Sequence, residues 1–324
     1  MSMKPKFYFL LIFVLFIETK SQMLEAKKAV SGKLKHLVHL KAYFKSDTRQ
    51  GTWTQEGAGT IINMKWVLTA AHVVEDYSEI ERGNTIEYFR KKVRLTAGTK
   101  DLRDANLRQR RLIERDNVYV HKDYEIQPLI DDVALIYLKK PLDDSNTIEP
   151  ANLLTSGMHF VDGVKCVVSG WGKNGYTIGE NGKTTYIRDS PNYARQGIME
   201  LLNGEKCKIY DGYESELQFC YGCNEGTCPS AAPGDSGAPV VCALEEDQDP
   251  VKYGYVFAIH SFGCADVKER CTPDGPSVGT DVRGITEWMN KKIEYVESTT
   301  ARIITYVITA ATIIASVVGG YFYM

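Results

Sequence analysis

An all-β domain, closed by one helix and flanked by an apolar segment at each end, is the fold class that the sequence predicts. Three observations predict it. Short runs of apolar and β-branched residues recur between clusters of Gly, Asn and charged residues. The eight cysteines, an even number, fit a disulfide framework if the chain enters the secretory pathway. The 324 residues are enough for one large domain or two packed barrels plus terminal segments. A net charge of −2 implies no strong pull toward nucleic acid or an anionic surface. No Cys/His spacing reads as a metal site, no glycine-rich phosphate loop follows a strand-like run, and no Asn-x-Ser/Thr sequon is present.

Lys4 and Lys6 precede an apolar run from Phe7 to Ile17, too short to span a bilayer and flanked as a secretory signal peptide is. Cleavage is expected after Ser21, so that 1–21 is the signal; an uncleaved anchor is the alternative. Leu34 to Phe44 alternates over part of its length and reads as a strand. Gly57 to Ile62 and Trp66 to Thr69 read as two short strands leading to His72. Glu75 to Arg115 is long, charged and poorly patterned, with Val93 to Gly98 as its clearest strand. Its Arg108, Arg110 and Arg111 read as a solvated loop, with a docking patch as the alternative. Val118 to His121 and Val133 to Leu138 are strand-like, with Ile130-Asp131-Asp132 between them. Pro141 to Phe160 reads as a crossing between two halves. Asn174 to Pro191, rich in Gly and Asn, is expected to be a mobile loop, and Gly197 to Leu202 a strand. Ile285, Trp288, Met289, Ile293 and Val296 recur at roughly helical spacing across Gly284 to Glu297.

The chemistry concentrates in Gly234-Asp235-Ser236-Gly237-Ala238-Pro239. A serine flanked by glycines sits on a tight turn, where no neighbouring side chain shields its hydroxyl. Glycine lets the N–H groups of Gly234 and Ser236 turn toward one point. Two such donors can hold the oxyanion formed when a serine attacks a carbonyl. A serine hydroxyl is a poor nucleophile alone and needs a base and a residue to orient that base. Thr69-Ala70-Ala71-His72 offers the base, and Asp131-Asp132-Val133-Ala134-Leu135 offers the carboxylate.

At these residues the chain resembles the chymotrypsin/trypsin family of serine endopeptidases, which carries His, Asp and Ser in this order. The resemblance runs from about Ala29 to about Ile293. It implies two packed antiparallel six-stranded β-barrels, the first over about 29–150 and the second, with a C-terminal helix, over about 151–297. It implies a protein or peptide substrate, with Ser236 as nucleophile, His72 as base and Asp132, directly before Val-Ala-Leu, as the orienting carboxylate. No cofactor and no metal is required. A buried Asp132 is costly unless hydrogen-bonded; accepting from the His72 ring N–H would satisfy it and fix the tautomer. A packed loop histidine is the bland alternative for His72, and His121 reads as a surface or core histidine. Family members commonly bridge a cysteine beside this histidine to the preceding strand. Here Val73 and Ala58 stand at about those places, so packing must hold the histidine loop.

The resemblance also implies activation. Cutting after Lys28, in Lys27-Lys28, would release a short propeptide over 22–28 and free Ala29, whose ammonium would fold inward to pair with Asp235. The chain departs from the family pattern at Ala29 and Ser31, and a solvated basic linker is the alternative. An activating protease is then a partner. Cys166–Cys242 and Cys207–Cys220 are the bridges that the family pattern implies. Cys223, Cys228, Cys264 and Cys271 remain, with three pairings open.

The same resemblance places the specificity pocket at Ser230, His260, Gly263 and Ser277. Ser230 stands where an aspartate would give a preference for Lys or Arg, so that preference is not expected. Ile259-His260-Ser261-Phe262-Gly263 resembles the strand that pairs with substrate. Ser277, where glycine is usual, is expected to narrow the pocket. His260 resembles the histidine with which glutamate-specific members hold a substrate carboxylate; the alternative is a strand histidine satisfied inside the barrel. Small or aromatic preferences remain open.

Ile303 to Met324 carries no charge and is long enough for about 33 Å of helix at ~1.5 Å per residue. It reads as a single-pass membrane anchor, which puts the domain on the extracellular face. The alternative is a removed glycolipid-attachment signal with Ser298-Thr299-Thr300 as its small-residue site. The whole reads as a membrane-tethered serine endopeptidase made as a zymogen. The other class of reading is a protease homologue that binds without cleaving, suggested by Ala238 in place of a second glycine and by the missing bridge.

Overall fold

The computed structural model describes residues 19–20, 27–28, 34–46, 51–81, 84–173, 175–178, 184–187, 192–224, 229–263 and 275–321. The backbone alone is described for 19–20, 27–28, 79–81, 84–86, 175–178, 184, 186–187, 306–308 and 310–321. Among the described residues eighteen strands run in chain order. The first half holds β1 (Thr19–Lys20), β2 (Lys27–Lys28), β3 (Leu37–Ser46), β4 (Thr52–Asn63), β5 (Trp66–Thr69), β6 (Tyr77–Glu81), β7 (Asn84–Ala97), β8 (Gln109–Glu114), β9 (Val118–Val120) and β10 (Ala134–Tyr137). The second holds β11 (Lys165–Gly170), β12 (Gly175–Ile178), β13 (Thr184–Ile187), β14 (Arg195–Leu202), β15 (Gln218–Gly222), β16 (Pro239–Cys242), β17 (Tyr255–Gly263) and β18 (Ser277–Asp281). Among the same residues three α-helices join them: α1 (Ala71–Val74), α2 (Pro250–Tyr253) and α3 (Val282–Tyr321).

The C-terminal half is a closed barrel of six strands, β11-β16-β17-β18-β15-β14, completed by β14 pairing back to β11; β2 lies beside β14. The N-terminal half corrects the expectation of six. It is an eight-stranded sheet, β6-β7-β3-β4-β5-β10-β9, with β8 also on β7. Among the described strands its ends do not pair, so it is a half-barrel. The additional strands lie in the charged stretch before Arg115. There β7 is long enough to pair with β3, with β6 through its first residues and with β8 through its last. Its last part, Val93–Ala97, is the strand expected there; the earlier part is not legible because a charged residue, Arg90, takes an inward place. The Arg90 guanidinium donates to the Val74 and Arg115 carbonyls, and its N–H donates to Asp76 Oδ1 at 2.6 Å. Inside the stretch expected to be a loop, β12 and β13 form a hairpin that β1 extends.

One core runs through both sheets, with Trp66, Trp171, Phe44 and Phe257 among its largest buried side chains. Disulfides join Cys166 to Cys242 and Cys207 to Cys220. Cys223 is also disulfide-bonded, while Cys228, Cys264 and Cys271 lie outside the described residues. The last helix packs Val282, Ile285, Met289 and Val296 inward, and the Trp66 indole donates to Glu297 at 3.2 Å. It continues unbroken to Tyr321. Among the described residues no helix is long and apolar enough to cross a membrane. The expected membrane segment, 303–324, has most of its side chains outside those residues, as do most of the expected signal, 1–21, and propeptide, 22–28.

Candidate active site

Four pieces of chain meet where the two halves join. The first is α1, which follows β5 directly and carries His72 between the fully buried Ala71 and Val73. No disulfide holds this turn to β4. Close packing does: a Cβ on Gly57 would lie 2.9 Å from both Val73 methyls and 2.7 Å from the Ser236 carbonyl oxygen. The second piece is the turn before β10. Asp131 adopts a left-handed backbone, φ 49°, and its carbonyl accepts from Val133 N–H at 2.7 Å. That tight turn leaves Asp132 fully buried.

Asp132 is buried because three donors surround it. The His72 Nδ1 lies 2.7 Å from Oδ2, the His72 backbone N–H donates to Oδ1 at 2.9 Å, and the Ser261 hydroxyl donates to Oδ2 at 2.5 Å. Burial by itself pushes the Asp132 carboxyl up. The charge of the His72 ring and these hydrogen bonds outweigh it and hold the group below the usual carboxylate range. An ionised Asp132 therefore fixes Nδ1 as the protonated nitrogen and leaves the partly exposed Nε2 side of His72 as the basic one.

The third piece is the turn through Ser236. Gly234 and Gly237 both have positive φ, 101° and 80°. Gly237 needs its missing side chain on steric grounds as well: a Cβ there would lie 2.2 Å from Thr69 Oγ1 and 2.3 Å from the Ala58 carbonyl oxygen. Ser236 is half-buried, and its carbonyl accepts from Ala58 N–H at 2.7 Å. The serine turn is thereby fixed to β4 and to the residues just before His72. Among the described residues neither Gly234 nor Ser236 N–H donates to a backbone carbonyl. Asp235 points the other way. Its buried carboxylate accepts from Gly172 N–H at 2.8 Å and Ala232 N–H at 3.1 Å, pressed against Gly170 and Gly172, where any Cβ would collide with it. Lys28 is paired in β2 with Arg195, and Ala29 lies outside the described residues.

The fourth piece is β17 with its neighbours β15 and β18. Ser230, His260 and Ser277 are buried, and a Cβ on Gly263 would lie 3.0 Å from Ser277 Oγ. His260 is bonded through its backbone to the serine turn, receiving Gly237 N–H at 2.9 Å and donating to the Ala238 carbonyl at 2.8 Å. Its ring Nδ1 lies 2.5 Å from the Tyr221 hydroxyl, which also bonds Ser277. Burial, and then the nearby His72, drive the His260 pKa down to about 3, so the ring is neutral. This geometry fits the strand histidine satisfied inside the barrel.

Two contributors were missed by the sequence reading. The sequence places Ser261 only in the strand that pairs with substrate and assigns Tyr221 no role. Both signals are tertiary, because the partners lie far off in sequence.

The Trypsin family profile matches residues 40–289. Chymotrypsin-C of Rattus norvegicus is 28% identical over 254 residues, covering 78% of this chain and 82% of that protein. Trypsin-1 of Salmo salar is 28% identical over 232 residues, covering 71% and 78%. The solved structure of neuropsin, a serine protease expressed in the limbic system of mouse brain, superposes with a TM-score of 0.57 at 22% identity, over 83% of this chain and 99% of that one.

Proposed function

The chain belongs to the trypsin family of serine endopeptidases, and from that premise we propose a membrane-tethered member that cuts peptide bonds through Ser236, His72 and Asp132. The observation that carries this is the buried Asp132 bound to both the ring and the backbone of His72, together with a serine turn hydrogen-bonded to β4, whose Gly57 packs against Val73 next to that histidine. In the proposed reaction Ser236 attacks the scissile carbonyl while His72 Nε2 takes the hydroxyl proton. His72 then passes that proton to the leaving amine, and water repeats the cycle on the acyl-enzyme. Asp132 holds the imidazole in the required tautomer and stabilises its charged form. The N–H groups of Gly234 and Ser236 receive the oxyanion, a contribution on the order of 100-fold or more in rate per donor.

In this reading specificity follows from Ser230, His260, Gly263 and Ser277, none of which carries a carboxylate. Ser230 and Ser277 offer hydroxyls, and His260 is neutral and bound to Tyr221. An uncharged small or aromatic side chain suits this lining better than Lys or Arg, and better than Glu. The protein is made as a zymogen in this reading. Lys27 and Lys28 sit as a strand against β14 until cleavage frees Ala29 to reach Asp235. The anchor is the charge-free end of α3. Ile303 and Ile304, 58% and 54% exposed, already present apolar surface where it begins, and the domain then stands on the extracellular face.

A fluorophosphonate probe on the cleaved protein is the test. Labelling that disappears in Ser236→Ala supports the enzyme; an inert wild type would favour a homologue that only binds. Release from membranes by phosphatidylinositol-specific phospholipase would replace the single-pass anchor with a glycolipid. A peptide-library profile dominated by Glu would overturn the pocket reading.

A further inference from the structure

Between β3, β7 and the turn around Leu102, with Asn192 on its rim, lies a cavity of about 470 Å³ lined by Lys41, Glu56, Arg94, Arg103, Arg108 and Arg110. The sheet register forces this crowding. Lys41 on β3 stands directly opposite Arg94 on β7, and Arg110 on β8 stands opposite Thr96, two residues along the same face. Like charges directly opposite on one face of a sheet destabilise it. Two acidic groups offset part of the charge: Glu56 binds Lys41 at 3.0 Å, and Asp101 binds Arg103 at 3.0 Å. The other three guanidinium groups have no carboxylate within ion-pair distance among the described residues. Arg108 and Arg110 both donate to the Leu102 carbonyl, which brings their positive charges together. The buried Nε of Arg94 has no hydrogen-bond partner. The Arg110 guanidinium is depressed by burial and then by the charges of Arg108 and Arg94.

Three guanidinium groups crowd one cavity, and one of them has a buried Nε–H with no hydrogen-bond partner. Planar guanidinium forks match tetrahedral oxyanions in paired N–H···O contacts. We propose that this cavity is a binding site for a sulfate or phosphate monoester group, held by Arg94, Arg108 and Arg110. It is separate from the substrate pocket, which is built on β15, β17 and β18. The overall charge of −2 makes such a site a local feature and not a general affinity for polyanions.

The test is calorimetric titration of the full chain in detergent micelles. The probes are inorganic pyrophosphate, a heparin-derived tetrasaccharide and, as the carboxylate comparison, a hexaglutamate peptide. The expected result is saturable one-site binding of pyrophosphate or tetrasaccharide. Arg94→Gln/Arg108→Gln/Arg110→Gln should weaken it at least tenfold, and Lys91→Gln/Lys92→Gln, which removes exposed charge outside the cavity, should leave it within twofold. Tighter binding of the tetrasaccharide identifies a sulfated glycan as the source, and tighter binding of pyrophosphate identifies a phosphate ester. The triple variant should also melt higher than wild type without anion and gain nothing when anion is added; a merely structural arginine cluster would lower the melting point instead. Absence of saturable wild-type binding up to about 10 mM overturns the proposal. So does an equal loss in both variants, or preferential binding of hexaglutamate.

Discussion

Removing the Ser261 hydroxyl isolates one of the three donors that make a buried Asp132 tolerable. In Ser261→Ala the carboxylate keeps the His72 ring and backbone N–H but loses the 2.5 Å contact to Oδ2. Asp132 is fully buried, so water does not replace the lost donor without rearrangement. A hydrogen bond to a charged group contributes about 1.5–3 kcal/mol, and that is the loss expected in urea unfolding at pH 7. The pH dependence carries a definite sign. The native Asp132 carboxyl lies below its unfolded value, so its contribution is complete above the ordinary carboxylate pKa of about 4 and disappears as pH falls through the native value. Losing Ser261 raises the native value. The variant should therefore be less stable at neutral pH, and it should lose the remaining contribution at a higher pH than wild type. Urea titrations every half unit from pH 3 to 7, with fluorophosphonate labelling rate followed in parallel, measure both. Equal stability at pH 7 together with an unchanged acid transition would refute this account of the Asp132 site.

Gly237→Ala should be more damaging than its size suggests. It places a Cβ on the Ala58 carbonyl and Thr69 Oγ1 at a positive φ, which costs about 1–2 kcal/mol for backbone conformation before any overlap is counted. Because the same turn positions Ser236, labelling by fluorophosphonate should fall on the order of 100-fold; a variant that labels at the wild-type rate would show that the turn has room to adjust. Tyr221→Phe leaves the buried His260 Nδ1 without its hydroxyl and should cost about 1–3 kcal/mol in thermal or urea unfolding. Unchanged stability there would mean that the His260–Tyr221 contact is dispensable.

Local signals were strongest where one residue type has one use. The glycines around Ser236 are legible because only a positive φ and a close approach require them, and the structure has both at Gly237. Strands β5 and β10 are legible because every residue in them is buried, leaving the apolar runs Trp66–Leu68 and Ala134–Tyr137. Of β6 to β8 only Val93–Ala97, the end of β7, is legible; exposed charges and the inward Arg90 erase the period of two in the rest. The hairpin β12–β13 was hidden by the Gly and Asn content that marks a loop.

By itself the sequence determined the family, the order of the three candidate catalytic side chains, the position of the closing helix and an uncharged C-terminal stretch, because each of these is written in neighbouring residues. The tertiary structure alone decided that Ser261 is the third donor to Asp132, that Tyr221 accompanies a neutral His260, that the first sheet has eight strands and that three arginines crowd one cavity. Each of those depends on pairing register or on burial, which bring together residues far apart in the chain and set how much their charges cost.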